Sequence, residues 1–123
     1  MGLTFVKAKI GAKSSLTIDL ELLVDSGASY TVLPEKIWKK LKLKLKDSMD
    51  FILADGTKIS RGISECYISI DGRDGHTPVV LGEKSDEPLL GVITLEVLGL
   101  VLNPFNRSLL PMKLFMAQHI KRA

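Results

Sequence analysis

"ELLVDSGASYTVLP", residues 21–34, is the stretch on which the reading of this chain turns. Three apolar residues, Leu22, Leu23 and Val24, run straight into Asp25-Ser26-Gly27-Ala28. A carboxylate at the end of a buried strand is costly unless something neutralises or uses it. Alone, Asp-Ser-Gly reads as a turn, because Asp and Ser side chains cap turns and Gly accepts left-handed angles. The apolar strand before it adds a second meaning, since it would hold the carboxylate at one partly desolvated place. Ser26 then offers a hydroxyl to brace the loop. Gly27 lets backbone pass close to a substrate, and Ala28 leaves room beside it.

Outward from this segment most of the chain reads as strands. "LTFVKAKI" alternates loosely, and "SSLTIDLELLV" places Leu16, Ile18, Leu20 and Leu22 on one face. "DFILADGTKISRG" is expected to be a hairpin, with Asp55-Gly56 supplying the positive φ angles of a tight turn. "GISECYISIDGRDGHTPVVL" is expected to be a second hairpin with a longer connection, Cys66, Ile68 and Ile70 sharing one face. Two short helices are predicted. One has Pro34 at its first position and continues through "EKIWKKL". The other spans residues 92–99 and closes at Gly99. Within "KIWKKLKLKLK", a strand is expected in which Leu41, Leu43 and Leu45 point inward and Lys42, Lys44 and Lys46 point to water. A solvated face explains those lysines better than an anionic partner, because only Trp38 offers a stacking surface.

The totals agree with one mostly-β domain. At 123 residues the chain suffices for one core and is short for two. Its 46% hydrophobic and 25% charged residues are those of a globular protein, and a net charge of +3 is far from the basicity of a dedicated nucleic-acid binder. Cys66 is the only cysteine, which excludes an intrachain disulfide and a cysteine-rich zinc site. With His76 and His119 the only histidines, no HExxH-type metal site exists, and no metal or cofactor is expected. Ser26 and Ser29 lie outside any nucleophile-elbow pattern. "MGLTFVKAKI" lacks a secretory leader's pattern, and Val6 stands where a myristoylation motif needs Ser or Thr. The longest apolar run, "LLGVITLEVLGLVL", is broken by Glu96, so no membrane span is expected. A reducing, cytoplasmic setting follows as the expectation.

A third segment gives Asp25 its context. "PLLGVITLEVLGLVLNP", residues 88–104, has two apolar residues before Gly91, then a short helix, then a strand. Together "LVDSGA", "FILADGTKI" and "LLG" resemble the retropepsin-like aspartic proteases, whose hallmarks are an apolar-apolar-Asp-[Ser/Thr]-Gly-[Ala/Ser] loop, a flap hairpin and an apolar-apolar-Gly segment leading into a helix. The motifs stand in the family's order, and the resemblance covers roughly residues 15 to 115. "DSGASYTVLP" is more similar to small cellular and microbial members than to viral ones. Ser29 and Val92 occupy places where many viral members carry an acidic residue and an Arg that pair.

The resemblance implies an all-β, single-domain closed barrel of the acid-protease type over residues 1–123, with one or two short helices and a polar tail from about residue 117. It implies aspartic endopeptidase activity on extended or unfolded polypeptides. Such chemistry needs two carboxylates sharing a proton, and this chain holds a single Asp-[Ser/Thr]-Gly, so the second must come from a second copy. A homodimer with Asp25 facing Asp25 of its partner is therefore expected. By the same resemblance the Ser26 hydroxyl ties the two loops across the axis and Gly27 presents its carbonyl to substrate. Ala54, Asp55 and Gly56 close as a flap, and Ala28, Val32, Ile52 and Ile93 line the subsites. Two other readings stay open at this stage. One is a peptide-binding or dimerisation module with weak or no turnover, and the other, resting only on the lysine run, is a basic β-barrel for nucleic acid.

Overall fold

Alternating apolar residues organise the chain into strands that wrap one core. The structure is a computed structural model and describes residues 3–103 and 105–112. Its elements are β1 (Phe5–Lys13), β2 (Leu16–Val24), β3 (Thr31–Leu33), α1 (Glu35–Lys40), β4 (Asp47–Ile52), β5 (Lys58–Ile70), β6 (Arg73–Leu81), β7 (Leu89–Leu90), α2 (Val92–Leu98), β8 (Leu100–Asn103) and β9 (Ser108–Pro111). The large sheet has the order β1-β2-β7-β3-β6-β5-β4, and β1 pairs again with β5 through Lys9↔Ser69, Ile10↔Ile68 and Gly11↔Tyr67. That second pairing closes six strands into a ring. The long β5 makes this possible: β6 lies along one edge, and β4 and β1 share the other in succession. β8 and β9 form a separate antiparallel pair.

The core is what the patterning asks for. Ile10, Leu22, Leu33, Cys66, Ile68, Ile70, Val79 and Leu90 are buried inside the ring, joined by Leu95 and Leu98 of α2. Burial pushes the Cys66 thiol up to about 12, which makes it an inert core residue rather than a nucleophile. α1 is tied to the end of β6 by Trp38, whose Nε1–H donates to the Gly82 carbonyl at 2.8 Å. Among the described residues no helix is long and apolar enough to cross a membrane.

Three local expectations give way to tertiary structure. Residues 41–46 form no strand. Leu43 is buried but Leu45 is 64% exposed, and Lys42 takes a positive φ of 58°, which breaks the alternation just after α1. The second hairpin has no long connection. Asp71 and Gly72, with φ of 51° and 79°, make a two-residue turn between Ile70 and Arg73, while Asp74-Gly75 lies within β6 opposite Ser69 and Ile68. Leu16, Ile18, Leu20 and Leu22 do share one face of β2, from fully buried Leu22 to Leu16, which is 72% exposed where the β1–β2 hairpin runs past the core. Pro34 is the N-cap of α1 in an extended conformation rather than its first helical residue. The polar tail and His119 lie outside the described residues.

Candidate active site

Asp25 lies one residue beyond β2, where the strand leaves the ring. β2 runs parallel to the short β7, with Leu23↔Leu89 and Val24↔Leu90 in register. The backbone N–H of Asp25 donates to the Leu90 carbonyl at 3.1 Å, and that of Val24 to the Thr4 carbonyl at 2.8 Å. Beyond the strand the chain turns at once. Ala28 N–H donates to the Asp25 carbonyl at 3.1 Å, and Gly27 N–H to Asp25 Oδ1 at 2.9 Å. One carboxylate oxygen is thereby committed to its own loop, which orients the half-buried carboxyl. Ser26 and Gly27 are exposed.

The "LLG" segment holds this loop from behind. α2 has no side-chain N-cap; its first N–H groups are taken by the loop, Val92 N–H by the Ala28 carbonyl and Ile93 N–H by the Ser29 carbonyl, both at 2.9 Å. Such closeness leaves no room for a side chain at Gly91. A Cβ there would lie 2.5 Å from the Tyr30 carbonyl carbon and 2.8 Å from the Ser29 oxygen. The glycine of the motif is therefore a packing requirement, its φ of −95° being open to any residue. Ser29 and Val92 each bond across this gap through the backbone, Ser29 to Ile93 and Val92 to Ala28, rather than to one another.

Between this loop and the β4–β5 hairpin opens a cleft of about 470 Å³. Gly27, Ala28, Val32 and Ile52, all singled out in the sequence, line it. So do Ser29 and residues that sequence reasoning passed over: Tyr30, Phe51, Leu53, Ile59, Arg61, Val80, Asp86, Glu87 and Leu89. Phe51, Ile59, Val80 and Leu89 come from four different strands, whose assembly no local pattern reveals. Tyr30 and Phe51 meet edge to face, ring centroids 6.0 Å apart, so the Asp25 loop and the hairpin touch directly. Arg61 is paired with Glu83 at 3.2 Å.

Ala54, Asp55 and Gly56 form the exposed hairpin tip and are not among the residues lining the cleft. Leu53 N–H donates to the Thr57 carbonyl at 2.8 Å and Gly56 N–H to the Leu53 carbonyl at 2.9 Å. Of the Asp55-Gly56 pair only Gly56 takes a positive φ, 88°, so the tip is a three-residue loop rather than the tight turn expected. Hydrogen bonds from Thr57, its hydroxyl first and then its N–H, hold the Asp55 carboxyl below its ordinary value. Ile52, 74% exposed, projects at the mouth of the cleft. Ile93 lies in the first turn of α2 and is likewise not among the lining residues.

Three buried threonines adjoin this arrangement, and the sequence reading missed them. Thr31 of β3, Thr77 of β6 and Thr94 of α2 are fully buried, and the Thr31 hydroxyl accepts the Gly91 N–H at 3.1 Å. Their one sequence signal is a hydroxyl where the strand and helix patterns call for Val.

The family model described as "gag-polyprotein putative aspartyl protease" matches residues 17–97. No curated protein matches the chain. Among solved structures, the EIAV protease complexed with the inhibitor HBY-793 is similar at a TM-score of 0.61 and 18% identity, over 94% of each chain. The solution structure of the simian foamy virus (mac) protease aligns at 0.55 and 20%, over 76% of this chain and 92% of that one. The retroviral protease-like domain of Ddi1 from Leishmania major aligns at 0.57 and 11%, over 89% and 90%. At these identities the likeness is one of fold.

Proposed function

The chain belongs to the gag-polyprotein aspartyl protease family, and from that premise we propose that it is an aspartic endopeptidase acting as a homodimer. The observation that carries the reading is the placement of Asp25. It follows a strand locked parallel to β7, its N–H and one carboxylate oxygen are both engaged, and the cleft begins two residues away at Gly27.

Asp25 of each protomer supplies one carboxyl of the dyad. Two such carboxyls about 3 Å apart would hold a single proton between them. The ionised member takes a proton from water as its oxygen bonds to the scissile carbonyl carbon. The protonated member gives its proton to the carbonyl oxygen, forming a neutral gem-diol. As the C–N bond breaks, a gem-diol hydroxyl returns its proton to the ionised carboxyl and the amine leaves with the proton of the other, so the dyad again holds one proton. Ser26, exposed in the turn after Asp25, would bond the partner's loop through its hydroxyl. An extended polypeptide would pair with the Gly27 backbone below and the Ala54–Gly56 tip above, its side chains entering the cleft beside Ala28, Val32 and Ile52. Ile93, in the first turn of α2 and outside the cleft lining, would serve the proposed subsites from behind, through its N–H to the Ser29 carbonyl.

The test is proteolysis of an unstructured protein from acidic to neutral pH, with parent and Asp25→Asn side by side and fragments mapped by mass spectrometry. Cleavage by the parent alone, with a bell-shaped pH profile and a sedimentation equilibrium of dimers for both proteins, is the expected result. Equal cleavage by both, or none by either, would overturn it.

A further inference from the structure

A threonine hydroxyl in an apolar core is costly unless paired, and valine fills the same volume without that cost. Three such hydroxyls in contact therefore call for a reason. Thr94 Oγ1 lies 2.5 Å from Thr31 Oγ1 and 2.8 Å from Thr77 Oγ1, all three residues having no exposed surface. The ends of the chain set its direction. Thr77 donates to the Pro78 carbonyl at 3.3 Å, so it can only accept from Thr94. Thr94, its proton spent, accepts from Thr31, and Thr31 accepts from the Gly91 N–H. Each hydroxyl thus donates once and accepts once.

The Gly91 N–H belongs to the same peptide unit as the Leu90 carbonyl, and that carbonyl receives the N–H of Asp25. This one peptide is clamped at both ends: the catalytic loop on its oxygen, the threonines on its nitrogen. We propose that Thr31, Thr94 and Thr77 form a one-way hydrogen-bond relay that sets the position of Asp25 through the Leu90–Gly91 peptide. Thr31 and Thr94 are then positioning residues for the dyad, a role whose catalytic half rests on the protease reading above. Successive bonds in a chain polarise one another, so the relay strengthens the bond at Asp25 as well as fixing its direction. It also joins β3, β6 and α2, three elements distant in sequence, at the point where the carboxyl must be held. A displacement of about 1 Å in such a site can cost on the order of a hundredfold in rate.

The experiment compares Thr31→Val and Thr94→Val, which keep shape and lose the hydroxyl, with Thr31→Ser and Thr94→Ser, which keep the hydroxyl. Amide hydrogen exchange is followed by NMR at Asp25 and Gly91, with Ile68 as a core reference. The Val variants should exchange about tenfold faster at Asp25 and Gly91 relative to Ile68, and the Ser variants should remain close to the parent. In turnover, kcat should fall by about ten- to a hundredfold in the Val variants with KM little changed, and the Ser variants should recover it. If Thr94→Val does not fold, Thr77→Val at the far end of the relay should give the same pattern with a smaller amplitude. Equal acceleration at Ile68 and Asp25, or Val variants indistinguishable from the parent, would overturn the relay. Local exchange that follows the hydroxyls in a protein with no turnover would uphold the relay and refute the protease reading alone.

Discussion

Replacing Gly91 by alanine should destabilise the protein by about 3 kcal/mol, for a reason that lies in backbone packing rather than conformation. The new Cβ would stand 2.5 Å and 2.6 Å from the Tyr30 carbonyl carbon and oxygen, where ordinary contact begins near 3.4 Å. Backbone offers no flexible end to swing aside, so loop and helix must part by about 0.8–0.9 Å, the difference between those distances. The two 2.9 Å bonds that span the same gap, Val92 to Ala28 and Ile93 to Ser29, would then pass beyond hydrogen-bonding range. Overpacking costs about 1–3 kcal/mol and each weakened bond about 1, less roughly 0.5 recovered from a stiffer unfolded chain. For a domain of this size the melting temperature should fall by about 10 °C. Gly75→Ala is the control, since its Cβ would meet only Val97 Cγ1 at 3.4 Å, and it should melt with the parent or slightly above. Thermal unfolding by far-ultraviolet circular dichroism, at one protein concentration so that any association is held constant, measures both. A Gly91→Ala melting temperature within about 3 °C of the parent would refute the steric argument.

Other predictions concern the core and its ties. Because the folded Cys66 thiol titrates at about 12 against 9.0 when free, the unfolded chain loses that proton first. Its contribution is thus complete below pH 9 and is lost as pH rises toward 12. Between pH 9 and 10.5 the parent should lose stability more steeply than Cys66→Ala, and parallel urea-denaturation slopes would contradict this. The native thiol should also resist alkylation at pH 8 until urea unfolds the chain; rapid labelling of the folded protein would show that Cys66 is not enclosed. Trp38→Phe removes the 2.8 Å bond to the Gly82 carbonyl and should cost about 1–2 kcal/mol in urea denaturation, with no change in the cleft. Lys9→Ala, which breaks a pair with Asp19 on an exposed hairpin, should cost less than 1 kcal/mol, and a larger loss would mean that the β1–β2 hairpin depends on it.

What could be read from the chain alone was what repeats locally. The strands of β1, β2, β5 and β6 and the short helix closing at Gly99 follow from periodicity and turn chemistry. Asp25 stood out because an apolar strand ending on a carboxylate is costly, and "LLG" and the β4–β5 hairpin gave it a context. Alternation failed at Leu41–Lys46, where a lysine in a left-handed conformation outweighs the pattern. "DGRDG" offered two equivalent turn signals, and the register of β5 against β6 selected the first.

The sequence by itself determined the all-β character, the Asp25 loop and the inert burial of Cys66, because each depends on residues adjacent in the chain. Only the tertiary structure decided how Asp25 is held. β7 is two residues long, too short for any periodic signal, yet it sits between β2 and β3 and takes the Asp25 N–H. The closure of β1 on β5, the Tyr30–Phe51 contact and the Thr31–Thr94–Thr77 chain join residues from 17 to 63 positions apart. Such pairings are selected by the simultaneous burial of apolar faces and satisfaction of buried polar groups, a condition on the whole packed chain that no segment expresses alone.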